Sequence, residues 1–169
     1  NQANKGSLVS IGKTFITPIH LYSNNYKSVK SLPDGATIAV PNDASNESRA
    51  LYVLQSAGLI TLKKNTNSLA TINSIAKNPK NLKIKEVAAD QAARTLDSVD
   101  AAVVNTNYAV AAKLSTKKSI FTEPVNKDSA QWINLIAARK KDRNKEAYKD
   151  VVKAVSYTHL TMPTTERVY

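Results

Sequence analysis

The chain of 169 residues carries 24 Lys and Arg against 13 Asp and Glu, a net charge of +11, and no cysteine. Its length and 42% hydrophobic content fit one globular domain with a core. The missing cysteines exclude disulfides and thiolate metal sites, and no run approaches the roughly 18 apolar residues of a membrane-spanning helix.

In chain order, Leu8, Ile11, Phe15, Ile16 and Ile19 recur loosely, with Pro18 interrupting, which predicts one or two extended segments. Residues 22–30 are polar and turn-rich. The turn Pro33-Asp34-Gly35 leads into Thr37-Ile38-Ala39-Val40, a short strand that Pro41 ends because it has no N–H for a ladder. Asn42-Asp43-Ala44-Ser45-Asn46 is a loop of capping residues. Ser45 with Ser48, or Asn46 with Arg49 in the first turn, then starts a helix. Its apolar face is Ala50, Leu51, Val53, Leu54 and Ala57, and Gly58 supplies the left-handed C-terminal cap.

Residues 62–68 form a basic, Asn-rich loop, and 71–77 a short helix capped at Thr71 and ended by Asn78-Pro79. Residues 82–87 alternate as a strand, and 90–96 make a short helix. Ala101-Ala102-Val103-Val104 is too short for a helix and fits a buried parallel strand. Residues 107–114 are helical, Ile120-Phe121 extended, 132–137 a strand and 145–154 an amphipathic helix. Strands alternating with helices predict an α/β fold with a parallel sheet. No internal repeat is present.

The central strand-loop-helix carries the most chemistry. A helix start after a strand end offers unpaired N–H groups and a positive dipole end. Arg49, one turn in, adds a planar fork of donors. Together they suit a carboxylate or phosphate, although the same pattern also describes an ordinary strand-loop-helix turn with a surface Arg. Asn105 ends the apolar strand, at the carboxyl edge where open α/β sheets place ligands; it is equally legible as a strand-end cap.

The stretch Val40-Pro41-Asn42-Asp43-Ala44-Ser45-Asn46-Glu47-Ser48-Arg49-Ala50-Leu51 resembles the hallmark of the NlpA/methionine-binding lipoprotein family, substrate-binding components of methionine ABC transporters. Ala57-Gly58-Leu59-Ile60, Asn78-Pro79-Lys80-Asn81-Leu82-Lys83-Ile84 and Val103-Val104-Asn105-Thr106-Asn107-Tyr108-Ala109 follow in family order. Gly12-Lys13 through Leu21-Tyr22-Ser23 fits upstream, so the resemblance runs from about residue 1 to about residue 154.

The resemblance implies a periplasmic-binding-protein-like (type II) α/β fold, mainly one lobe plus crossover strands. Residues 1–21 would be a crossover and remnant of the first lobe, 22–118 the second lobe, and 119–154 the return crossover and C-terminal helix of the first lobe. It implies a receptor for methionine, whether L-methionine, D-methionine or a methionyl dipeptide, that delivers its ligand to a membrane permease driven by an ATPase and uses no cofactor. By the resemblance, Arg49 and Asn105 match ligand-contacting positions, with Asn42, Asn46 and Asn107 as weaker candidates that support the loop. Asn105 could accept from an ammonium and donate to a carboxylate at once. The family's apolar and aromatic slot for the thioether, with a His for the polar end, comes largely from a segment preceding residue 1. His20 is not that His and reads as structural or surface. The family is lipid-anchored on the extracytoplasmic face of the bacterial cell membrane through a Cys after its signal peptide. No such Cys is present, which reads as a missing start rather than a cytoplasmic protein.

An enzyme is the second reading, and the residues disfavour it. There is no Cys, no Gly-rich phosphate loop among four Gly, and no metal-ligand spacing; Asp97 and Asp100 fit a solvated pair better than an acid/base dyad. A receptor for another amino acid, or a basic surface- or nucleic-acid-binding module, remains the alternative. Against nucleic acid, the Lys residues are scattered and aromatics make up only 6%. The one dense cluster, Arg139-Lys140-Lys141-Asp142-Arg143, reads as a solvated helix entry. Residues 155–164, Val-Ser-Tyr-Thr-His-Leu-Thr-Met-Pro-Thr, resemble a translated sequencing adapter, so 155–169 are predicted to be non-native and His159 and Met162 to carry no function.

Overall fold

The computed structural model describes residues 4–64 and 69–161. Its elements in chain order are β1 (Leu8–Lys13), β2 (His20–Tyr22), β3 (Thr37–Pro41), α1 (Ala44–Ser56), β4 (Thr61–Leu62), β5 (Ile75–Lys77), β6 (Lys83–Val87), β7 (Ala101–Val104), α2 (Thr106–Ala111), β8 (Ser119–Thr122), β9 (Leu135–Arg139) and α3 (Glu146–Thr161). Short 3-10 turns lie between them. The length alone suggested one domain, but the chain divides into two compact units, Asn1–Thr17 with Asn126–Tyr169, and Pro18–Val125. The division arises because β1 pairs with β9 in a sheet of their own.

In the larger unit the sheet runs β6-β3-β7-β2-β8. Strands β6, β3 and β7 are parallel, as expected, but β2 lies antiparallel between β7 and β8. Strand β2 has three residues, and among the described residues no helix lies between β1 and β2 to act as a crossover, so nothing there requires it to enter in the parallel sense. The central strands are covered on both faces. Ile38, Val40, Ala101 and Val103 pack with Leu51, Val53 and Leu54 of α1, while Ala39, Ala102 and Val104 pack with Ala92, Ala93, Leu96 and Ala109. Period-two alternation sends neighbouring residues to opposite layers, which is why these strands read as continuous apolar runs. Each large side chain so buried contributes about 1.5–3 kcal/mol.

Helix α1 starts earlier than the two capping patterns predicted. Asp43 is its N-cap and accepts from the Asn46 amide. The end is as predicted. Gly58 takes φ +74°, its amide donates to Gln55, and the Leu59 amide donates to Leu54, which together make a Schellman closure.

Residues 71–77 are not a helix. A capping box between Thr71 and Ser74 closes one 3-10 turn, Ile72–Ser74, and β5 then pairs with β4. Leu62 of the expected loop belongs to β4, and 65–68 lie outside the described residues. The predicted helix at 90–96 is a 3-10 segment, Ala92–Asp97, and α2 stops at Ala111, short of residue 114. Strand β9 sits further along than 132–137, after a 3-10 turn at Lys127–Trp132. Helix α3 continues past residue 154 to Thr161, into the stretch predicted to be non-native, and 162–169 lie outside the described residues.

Candidate binding site

Sheet topology gathers the predicted residues at one edge. Strands β3 and β7 are parallel, so Asn42 and Asn105 follow strand ends that point the same way. Reversed β2 pairs His20 with Val104 on one side and with Thr122 on the other. The start of β2 and the end of β8 therefore reach that same edge, and bring Ile19 and Glu123 with them.

The start of α1 is tied to three other segments, residues 70–72, Asn105 and Glu123. Asp43 gathers Ser45 Oγ at 3.2 Å, the Asn46 amide at 3.1 Å and Asn46 Nδ2 at 2.9 Å. Burial pushes the Asp43 carboxyl up, but these hydrogen bonds outweigh it and hold the group below its ordinary value. Glu47 accepts from the Ile72 amide at 3.0 Å, and Ser48 Oγ accepts from the Ala70 amide at 3.0 Å. Burial holds the Glu47 carboxyl above its ordinary value against the hydrogen bond from Ile72.

Arg49, 8% exposed, reaches Glu123, 6% exposed, through two parallel bonds, Nε to Oε1 at 2.8 Å and Nη2 to Oε2 at 2.5 Å. A pair so buried is the bidentate kind that outweighs a surface ion pair. Glu123 Oε2 also accepts from the Ile19 amide at 3.0 Å, while the Glu123 amide donates to the Ile19 carbonyl at 2.9 Å.

Asn105 Nδ2 donates to Asn46 Oδ1 at 2.8 Å. Its own Oδ1 is buried and has no hydrogen-bond partner, the one such side-chain atom among the described residues. Asn105 occupies the N-cap position of α2 without capping it, so this carbonyl is not used for the helix. Thr106 Oγ1 donates to the Pro18 carbonyl.

Of the five residues named from sequence, Asn46 and Asn105 are hydrogen-bonded to each other, and Arg49 lies one turn from Asn46 on the same helix face. Asn42 and Asn107 are exposed; the Asn42 amide donates to the Val87 carbonyl. Sequence reasoning missed Glu123. Its signal was a lone acid between the apolar strand Ile120-Phe121 and Pro124. Of the expected solvated pair, Asp97 is exposed and accepts from Asn24, while Asp100 is half-buried and accepts from the Thr37 amide at 2.7 Å.

A buried amide carbonyl without a donor suits an incoming ammonium or amide N–H, because leaving it unmet costs about 1–3 kcal/mol. The neighbouring guanidinium and helix start suit a carboxylate. Among the described residues no three His, Cys, Asp or Glu side chains are grouped to hold a metal ion. A cavity of about 240 Å³ in the other unit is lined by Ile11, Arg143, Tyr148, Lys149, Val152 and Lys153, none of them a predicted site residue.

A family model described as NlpA lipoprotein matches residues 1–163. A protein of Pasteurella multocida (strain Pm70) named probable D-methionine-binding lipoprotein MetQ is 45% identical over 163 residues, 96% of this chain and 55% of the relative. The chain thus spans about half the length of the curated relatives it matches. The solved substrate binding protein of a methionine transporter from Streptococcus pneumoniae is 50% identical, with TM-score 0.81 over 92% of this chain and 63% of that one. A nutrient binding protein from Burkholderia cenocepacia, solved bound to methionine, is 48% identical, with TM-score 0.81 over 91% of this chain and 65% of that one.

Proposed function

The chain belongs to the NlpA lipoprotein family and has a periplasmic-binding-protein-like α/β fold, and on that premise we propose that it is part of a receptor that binds methionine and serves an ABC importer. The observation that carries the reading is the buried, unmet Oδ1 of Asn105 beside Asn46, at the edge that also holds Arg49. On this reading Asn105 Oδ1 takes the ligand ammonium and Arg49 with the α1 start takes its carboxylate. Asn46 fixes the Asn105 amide, while Asn42 and Asn107 support the two loops. The unit Pro18–Val125 is the lobe that carries these groups. The protein binds without turnover, works on the extracytoplasmic face of a bacterial membrane through a lipid anchor, and hands its ligand to a permease coupled to an ATPase. The names of its relatives support the ligand and the lipoprotein character.

Calorimetric titration of L-methionine tests this, with D-methionine and a methionyl dipeptide alongside. It uses this chain and the chain extended to the full length of its relatives. Saturable binding is expected in the extended protein, lost in Arg49→Ala and weakened about tenfold or more in Asn105→Ala. Silence of the folded extended protein toward all three ligands would overturn methionine as the ligand class.

A further inference from the structure

Glu123 has more partners at the edge of the sheet than a cap or a surface acid would need. One carboxylate takes both parallel bonds from Arg49 and the backbone amide of Ile19. Its own amide closes the loop by donating back to Ile19. Ile19 follows directly on Pro18, where the larger unit begins, and Glu123 stands two residues before Val125, where that unit ends. The side chain is 6% exposed. A carboxylate removed from water and shared in this way cannot follow Arg49 if the guanidinium turns, so it fixes the plane in which Arg49 presents its donors.

The charge has a second consequence. Arg49 and Glu123 form a pair of opposite unit charges in a dry setting, and Asn105 Oδ1 adds an acceptor without adding charge. A ligand that carries an ammonium and a carboxylate enters such a site with no net charge and supplies the donor that Asn105 lacks. The same molecule without its ammonium brings an uncompensated negative charge and leaves that carbonyl unmet, and both effects oppose it.

We propose that Glu123 is a positioning and specificity-determining residue: its carboxylate fixes the Arg49 guanidinium and balances its charge, so that the site takes a net-neutral zwitterion and turns away the corresponding anion. The proposal deepens the methionine reading and rests on it for the identity of the zwitterion.

The test compares L-methionine with its deaminated analogue, γ-methylthiobutyrate, in the chain extended to the length of its relatives. Wild type, Glu123→Gln and Glu123→Asp are titrated with each. In wild type, methionine is bound much more tightly than the anion. Glu123→Gln keeps an acceptor for the Ile19 amide and removes the charge, so the ratio of the two affinities is expected to move about tenfold or more toward the anion. Glu123→Asp keeps the charge on a shorter arm, so affinity for methionine falls while the ratio stays near wild type. A merely structural role would weaken both ligands alike in Glu123→Gln, and an unmoved ratio in folded protein overturns the proposal while leaving methionine binding intact. A readout without ligand stands beside it: ¹⁵N NMR of the Arg49 Nε–H. That proton is expected to exchange with water about tenfold or more faster in Glu123→Gln than in wild type. An unchanged rate overturns the positioning role even if methionine proves not to be the ligand.

Discussion

His20 shows how a residue can be placed by partners that no short window of sequence contains. Its ring is half-buried on β2, with Nδ1 3.1 Å from Ser119 Oγ and 3.1 Å from Thr122 Oγ1, and it lies tilted against Tyr22 at 5.5 Å. The expectation that it is structural or surface resolves in favour of the structural role. Burial holds the imidazole below its ordinary value of 6.5, with the Glu123 charge pulling the other way. The unfolded chain therefore takes up the proton more readily than the folded one. Its contribution is fully present above about pH 6.5 and is lost progressively as pH falls below that value toward the folded-state one. Thermal unfolding midpoints are expected to drop between about pH 7 and pH 5.5, and to drop less in His20→Gln. Equal slopes in the two proteins would show that the ring does not titrate this way.

At the same scale, Arg49 and Asn105 could be singled out from local pattern, because Arg49 opens the apolar face of α1 and Asn105 ends the apolar run of β7, whereas Asn46 came from the family resemblance alone. Glu123 was not, since its bond to Arg49 spans 74 positions.

Elements with strong local chemistry could be read directly. Strand β3, helix α1 with Gly58, and β7 were placed from apolar runs and a positive-φ glycine. The start of α1 was not, because Asn42, Asp43, Ser45 and Asn46 are all competent caps and only the bonds to Asp43 decide among them. Asp43→Ala is expected to cost about 1 kcal/mol, measured by urea unfolding. Residues 75–77 were misjudged because what makes them a strand is pairing with β4, not their own pattern.

Gly12 is a different case, set by packing of one element on another. A Cβ there would lie 2.9 Å from Val152 Cγ1 and 3.2 Å from Cγ2, so α3 can approach β1 closely only because residue 12 has no side chain. Gly12→Ala is expected to destabilise by about 1–3 kcal/mol, again by urea unfolding of the full chain. An unchanged midpoint would show that Val152 gives way freely.

Across the molecule, burial is uneven. The buried apolar side chains of the described residues fall between Pro18 and Ala109, apart from Ala138. Backbone opening should follow this distribution. In native-state hydrogen exchange followed by mass spectrometry, amides of β3 and β7 are expected to be the slowest, and those of β1 and β9 to exchange well before them. Comparable protection in β1 and β3 would contradict this. The sequence was informative about the fold class, since period-two and helical patterns are local. Local pattern carries nothing of the two units, since β1 meets β9 only after the whole larger unit has been traversed; the expected lobes, 1–21 with 119–154 and 22–118, came from the family resemblance alone.

The reversed strand β2 also sets an order of assembly. His20 to Tyr22 are among the first residues of their unit to be synthesised, yet their ladder partners are Ala102 to Val104 on one side and Ser119 to Thr122 on the other. Strands β3, β6 and β7 can associate while β2 stays unpaired, and pairings this distant in sequence slow folding because a large loop must close first. The same delay leaves the nascent chain with an apolar segment uncovered until Glu123 emerges, and only then can Ile19 be clasped and the edge that presents Arg49 be completed.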